Sequence, residues 1–576
     1  MPDLSLAHLT RENLQHLEWR NRFRDDIRLK PELHWPFLFP CTVNLLLVAD
    51  GLDFSEADFG LSTFVRSLLD MPGRHARMRI TLAHINNATD SQMMAGEARI
   101  AERIKSFKFD NSAHFDTGMY DAVFLFGIAT GFSRGGDYPG DRLADGELRA
   151  LTRFMNAGGG LFATGDHGRL GRALCHAVPR ARGMRLWDST SGQAADDEVS
   201  MAGPRRNDTN RPQPGGSFFD DQCDDVPQTI QPRIYARRGG LFRYSFPHPL
   251  LCGPRGMIRV MPDHPHEGEC VEPSEVDETL DFGGGAEYPD AIDGGARPLP
   301  ELVSTSSVLA GTRSEKLPTQ AQSFGGICAY DGHRAGVGRV VTDATWHHFV
   351  NINLVGRFND AGLPAGHPWR TGFLSSAAGQ AHFEDIKAYY RNLGVWLARP
   401  ERIRCINSRM HWTLLWDERV LESVLTAVDI RLDRADLRVL GLIGRHARDV
   451  LGRYAGQCQS RRLVIDLVIP RWPKLIPEID PWWRGPRPLD DKFDGVAWLD
   501  GSPLLDIALG GALVALREAF PDPEPVRGDD IDGEKIEQVL IEGANRSIER
   551  AIKSMAESAE QTRMLAGLLE RGESAS

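Results

Sequence analysis

No stretch of this chain approaches the roughly 18 consecutive apolar residues of a membrane span. Its first twenty residues, MPDLSLAHLTRENLQHLEWR, lack the apolar core of a signal peptide. A membrane partner is therefore not expected, and the chain reads as cytoplasmic. No two cysteines form a CxxC pair; the eight stand at 41, 175, 223, 252, 270, 328, 405 and 458. That spread speaks against a disulfide framework or a Cys-type zinc site and for reduced thiols throughout. GxSxG, Walker and HExxH sequences are all missing, which removes the usual signatures of serine hydrolases, P-loop enzymes and zincins. An excess of positive charge is lacking too. With 67 basic and 79 acidic residues the net charge is -12, so nucleic acid is not expected as the main partner. Arg20, Arg22, Arg24, Arg28 and Lys30 cluster, but interleaved acids make them a solvated helix face.

What is present is ordinary for a folded chain: 41% hydrophobic and 25% charged residues. At 576 residues the chain exceeds one ordinary domain. Residues 1–39 form a polar, helical lead-in. CTVNLLLVADG (41–51) then gives a short, continuously apolar run, as expected of a strand buried on both faces of a parallel sheet. MRITLAHI (78–85), YDAVFLFGIA (120–129) and GLFATGDHG (160–168) repeat it. Amphipathic stretches near 59–69, 92–107 and 143–160 separate them. This βαβαβαβ alternation predicts right-handed crossovers and a doubly wound parallel sheet.

From 185 to 325 the pattern dissolves into Gly, Pro, Asp and Arg. We read this as a loop-rich insertion of short strands, because a structureless loop of that length does not suit a compact domain. GGICAYDG (325–332) and GRVVTDATWHHFV (338–350) resume as strands, and a long helix follows at 377–398. Residues 401–576 read as mainly helical: patterns at 417–428, 436–454 and 502–520 with one strand-like run, LVIDLVIP (463–470). A final helix spans 534–571. It carries Ile536, Leu540, Ala544, Ile548, Ala551, Ile552, Met555 and Ala559, spacing that suits a docked core helix or a protein partner, including a second copy.

Three segments concentrate reactive side chains. Asp166 and His167 lie in the turn after the fourth strand, where ligands of open parallel sheets bind. His264 and His266, two apart beside Glu267, point to one side of an extended chain and suit a divalent zinc, iron or manganese ion. Asp343, His347 and His348 close a later strand. The blander readings are a helix cap for Asp166, surface histidines in a Pro/Gly-rich loop, and packing around Trp346. Two of the three clusters fall at expected strand ends of one sheet, which favours a shared pocket.

YDAVFLFGIA, MNAGGGLFATGDHG and GVGRVVTDATWHH together resemble the class I glutamine amidotransferase-like superfamily, nearest its ThuA-like (trehalose-utilisation) branch. The resemblance covers about 40–180 and 325–400. It implies a flavodoxin-like α/β domain over 40–400 and a functional histidine at His347 or His348. It also implies a cysteine nucleophile at the elbow, and there this chain has Asp166 and His167. Cys175 lies nine residues further on, so glutamine hydrolysis by the usual Cys-His-Glu route is not expected. A displaced nucleophile such as Cys328 would have to leave mid-strand. The leading reading is thus an enzyme, a metal-assisted hydrolase or lyase acting on a small polar molecule. The resemblance adds a carbohydrate derivative as candidate. Its metal ligands are His264, His266 and His347 or His348, with Asp166 or Glu267 added and His167 as general base. The rival is a non-catalytic ligand-binding or scaffolding protein built on a degenerate domain.

Overall fold

The computed structural model describes residues 40–71, 76–132, 140–166, 168–187, 228–237, 242–262, 268–278, 282–283, 285–292, 294–308, 321–356, 371–415, 417, 420, 431–455, 457–468, 471–483, 487, 499–520 and 533–573. The expected lead-in at 1–39 and most of the 417–428 pattern lie outside them, as do His167, His264, His266 and Glu267.

The centre is a nine-stranded sheet. Its strands in chain order are β1 (Cys41–Ala49), β2 (Ala76–His84), β3 (Glu102–Ile104), β4 (Ala122–Phe126), β5 (Gly160–Thr164), β6 (Gln231–Pro232), β7 (Glu301–Val308), β8 (Gln322–Tyr330) and β9 (Val340–Asp343). In space they run β3-β2-β1-β4-β5-β9-β8-β7-β6. The first six of that order are mutually parallel, and β8, β7 and β6 add antiparallel pairs. The protein is therefore α/β with a large, mostly parallel sheet, and the expected all-parallel sheet needs correction at one edge. Only residues 331–339 separate β8 from β9, too few for the crossover that a parallel pair requires.

Apolar runs gave the buried strands away because both faces are covered. Along β1, Val43, Leu45 and Leu47 face one apolar cluster, and Leu46 and Val48 face the other. Helix α1 (Ser62–Leu69) places Phe64 and Leu68 in the first, while α2 (Asp145–Asn156) gives Leu148, Leu151 and Phe154 to the second. After β5 a turn leads into the short α3 (Arg172–Cys175), and after β9 comes α4 (Asn351–Val355). The long α5 (Ala377–Trp396) lays Phe383, Ile386, Tyr389, Tyr390 and Leu393 on the first face, as its spacing predicts.

Two elements differ from their sequence pattern. No helix forms at 92–107. Gly96 interrupts it, and Arg103 instead donates to the carbonyls of Met93, Met94 and Glu97, which satisfies a run of turns. That leaves Glu102–Ile104 to extend the sheet beside β2. The run LVIDLVIP lies largely in a helix rather than a strand. Leu463, Val464, Ile465, Leu467 and Val468 are all buried there, and a short apolar run reports burial without reporting period. The 185–325 insertion does hold short strands, yet β6 and β7 from it complete the central sheet.

The helices α6 (Pro400–Leu415), α7 (Leu437–Ala455), α8 (Gln457–Val468), α9 (Ser502–Ala519) and α10 (Gly533–Glu573) follow. Their apolar faces belong to the same continuous cluster as the first face of the sheet. Glycine sets the closest crossing: a Cβ on Gly510 would overlap the Leu440 carbonyl, and one on Gly444 the Asp506 carbonyl. Arg448 then reaches Asp506 at 2.6 Å.

Cys41 at the start of β1 and Cys405 on α6 are joined by a disulfide, with Cα atoms 6.0 Å apart. This corrects the expectation of thiols throughout. Spacing along a sequence cannot show a pair 364 residues apart. Its removal by Cys405→Ser should cost about 2–4 kcal/mol. Urea unfolding of the variant against the oxidised wild type measures that loss; identical midpoints would show that the bond adds nothing.

Candidate functional site

The spatial order reverses at β1, whose chain goes out to β2 and β3 and returns to β4. In open α/β sheets such a reversal leaves a crevice at the carboxyl ends of the strands. Asp50, immediately after β1, spans it: its Oδ1 accepts the Ile128 amide at 2.7 Å and the Ala129 amide at 3.1 Å. The turn after β5 packs against this seam through glycine. A Cβ on Gly127 would stand 2.7 Å from the Gly171 Cα, and Gly171 itself has φ +92°.

Two carboxylate–histidine pairs sit side by side at this edge, supplied by adjacent parallel strands. Asp166, fully buried, follows β5. Its Oδ1 accepts the Thr345 hydroxyl at 3.0 Å and its Oδ2 lies 3.5 Å from His347 Nε2. The other ring nitrogen, His347 Nδ1, lies 3.0 Å from Asn353 Oδ1. When Nδ1 donates there, Nε2 turns its lone pair toward Asp166, an arrangement that a shared cation can bridge. Two ligands of a tetrahedral ion at 2.0–2.1 Å stand roughly 3.4 Å apart, so the observed 3.5 Å separation fits a shared divalent ion. Among the described residues no group of three His, Cys, Asp or Glu side chains converges.

The second pair is deeper. His348 Nδ1 lies 2.7 Å from Asp343 Oδ1, and Asp343 Oδ2 accepts the Tyr389 hydroxyl at 2.7 Å. Tyr390 donates its hydroxyl to the His348 carbonyl. Burial pushes both tyrosines well above the usual phenol range, with Asp343 adding to it, so both stay protonated donors. His348 is 1% exposed and His347 6%. His347 is therefore the histidine nearer the surface, where the half-exposed Phe59 stands edge-on to it at 6.2 Å.

Arg185 ties the two strand ends together. It is buried, and its Nη2 donates to the Asp166 carbonyl at 2.6 Å and the Ala344 carbonyl at 2.7 Å, while Nη1 donates to Leu186 at 2.9 Å. The guanidinium lies 4.6 Å from the Trp187 ring. Burial lowers its pKa, with neighbouring Cys270 and Asp166 pulling the other way. Gly268 must be glycine here, since a Cβ would overlap this guanidinium. Gly268 is the described flank of the His264–Glu267 segment, and it lies against the Ala344 carbonyl at the same edge. A cavity of ≈ 560 Å³ opens beyond, beside Arg182, Arg185, Glu278 and Glu287, but neither Asp166 nor His347 lines it.

The turn lacks the cysteine of a nucleophile elbow. Among its described residues, positive φ falls on Gly168 (57°) and Gly171 (92°) and not on Asp166. Cys175 is buried and donates to the Thr164 carbonyl at 3.7 Å. Burial pushes the thiols of Cys175 and Cys328 well above the ordinary range, so neither supplies a thiolate.

Of the site residues read from sequence, Asp166, Asp343, His347 and His348 come together. His167, His264, His266 and Glu267 lie outside the described residues. Sequence reading missed Thr345, Asn353, Arg185, Tyr389 and Asp50. Asp50 alone carried a signal, ending an apolar run at Asp-Gly. No protein-family model, curated protein or solved structure matches this chain. Among the described residues no helix is long and apolar enough to cross a membrane.

Proposed function

We propose that this protein is a metal-assisted hydrolase or related lyase working on a small polar molecule at the carboxyl edge of the sheet. The observation that carries the reading is the approach of Asp166 Oδ2 to His347 Nε2, 3.5 Å apart at the ends of adjacent strands and buried together. Asp166 and His347 would hold a zinc, iron or manganese ion, with His264, His266 or Glu267 completing the set from a segment whose flank reaches the same edge. Such an ion acidifies a bound water and polarises the bond to be cleaved. Thr345 fixes the rotamer of Asp166, Asn353 orients the His347 ring, and His167 serves as general base. Asp343 and His348 brace the neighbouring strand end instead of binding the ion.

The resemblance to a class I glutamine amidotransferase-like, ThuA-like domain belongs to the same proposal. The run β2-β1-β4-β5-β9 within the larger sheet supports a flavodoxin-like reading, since it follows the same order once the three-residue β3 is set aside. One observation favours the rival, a non-catalytic ligand-binding or scaffolding module: Asp166 and His167 stand at the elbow where a cysteine nucleophile would.

Elemental analysis of purified protein separates them. Near one equivalent of zinc, iron or manganese is expected, falling at least tenfold in both Asp166→Asn and His347→Ala while His348→Ala retains it. No metal after reconstitution, or metal indifferent to both substitutions, would sink the enzyme reading in favour of the module.

A further inference from the structure

Helix α10 leads two lives. Up to Ala551 its inner face is docked: Ile536, Leu540, Ala544, Ile548 and Ala551 are buried, and a Cβ on Gly543 would press into Ala515 and the Gly511 carbonyl of α9. Beyond Ala551 the same helix runs on uncovered. Met555 is 39% exposed, Leu565 62% and Leu568 59%. At 1.5 Å per residue, the 22 residues from 552 to 573 project about 33 Å.

The projecting part is not a uniformly polar rod. In a 4-3 repeat, Met555, Ser558, Thr562 and Leu565 form the uncovered seam. The four charged residues from Ile552 to Leu568 (Lys553, Glu557, Glu560 and Arg563) all fall on the three outward positions of the heptad, so over this stretch neither seam nor flanks carries a charge. Ala559, Gln561 and Ala566 are among the flanking residues. A solvated helix face has no reason to exclude charge so completely, and one that meets another helix does.

We propose that this half of α10 pairs with the same half-helix of a second copy of the chain, antiparallel, about a two-fold axis level with Glu560. The partner must be as free of charge as the seam it meets, and the seam itself meets that need. In this register Met555 packs on Leu565, and Ser558 meets Thr562 hydroxyl to hydroxyl, the self-complementarity a two-fold interface requires. The small flanking alanines let the axes approach. Parallel pairing is excluded by bulk. Helices in contact stand about 8–10 Å apart, and two copies side by side would drive their folded bodies into each other where the helix emerges. The seam from Met555 to Leu565 is far smaller than a standard interface of about 1,600 Å², so the dimer is weak and dissociates at micromolar concentrations.

Sedimentation equilibrium of the full chain from low to high micromolar concentration tests this. A monomer–dimer equilibrium is expected, with Leu565→Glu weakening it at least tenfold and leaving helical circular dichroism unchanged. Under mild oxidation Gln561→Cys should cross-link across the axis, and Ser554→Cys, which faces Leu568 of the other copy, should not. A monomer at 200 µM, or a dimer indifferent to Leu565→Glu, overturns the proposal. Cross-linking through Ser554→Cys alone overturns the antiparallel register.

Discussion

Lowering the pH from 6.5 to about 4.5 should destabilise this protein by several kcal/mol. Three histidines remote from the proposed site are responsible, and one of them, His333, is held well below its ordinary value by burial, with Arg339 and Arg462 assisting and Asp331 opposing. His248 is 5% exposed and His411 fully buried. Burial holds His248 down at about 3, with Asp331 opposing and Arg339 and Arg462 assisting. Burial likewise lowers His411 to about 4, against a backbone hydrogen bond to Asn407 that favours the proton. In the unfolded chain all three take up a proton near pH 6.5. Below that the unfolded state binds protons that the native state refuses, so stability is complete above about pH 6.5 and falls as pH drops toward the folded values. Three such groups give up to about 4 kcal/mol per pH unit. Urea unfolding at a series of pH values reads this slope, and His411→Gln should remove about a third of it. A flat profile from pH 6.5 to 5 would mean that these rings are protonated in the native state.

The Arg185→Met substitution should cost about 3 kcal/mol, because buried acceptors left without a donor cost about 1–3 kcal/mol each and relief of the buried charge offsets part of the sum. Three backbone carbonyls, those of Asp166, Ala344 and Leu186, lose their donor together, and no water reaches a fully buried position to replace it. Lysine should not rescue the loss, because one ammonium cannot reach three acceptors laid out for a planar fork. The damage is local in kind: the turn after β5 and the loop after β9 lose their common tie. Equilibrium unfolding in urea gives the magnitude. A loss below about 1 kcal/mol would mean that the strand ends hold each other without Arg185.

Much of this architecture could be read from residue order alone, and the reasons differ by element. β1, β4 and β5 showed because burial on both faces leaves apolar runs, and α2 and α5 because one-sided burial leaves a helical period. The helix at Gln457–Val468 did not show its type, since burial of nearly its whole circumference erases the period. β3 was hidden because three residues carry no pattern, and its neighbour 92–100 is held by Arg103 reaching back to carbonyls. In the candidate site, Asp166 and His347 were legible as polar residues ending apolar strands. Arg185 and Asn353 were not. Each works through backbone or side-chain atoms brought close only by the sheet, and nothing in either local sequence differs from an ordinary loop arginine or helix asparagine. The disulfide partner of Cys41 was invisible for the same reason.

The placement of α5 sets a timetable for biosynthesis. β1 ends at residue 49, and the helix that covers its first face ends at residue 396, 347 residues later. At roughly 5–20 residues per second of translation, that face of β1, β2 and β4 has only α1 to cover it for about 17–70 seconds. Leu45, Leu47, Phe124 and Phe126 lie on it, and so does the Cys41 thiol until residue 405 arrives. The nascent chain thus carries a sticky surface for most of its time on the ribosome, and its yield in a cell depends on what shields that surface during the wait.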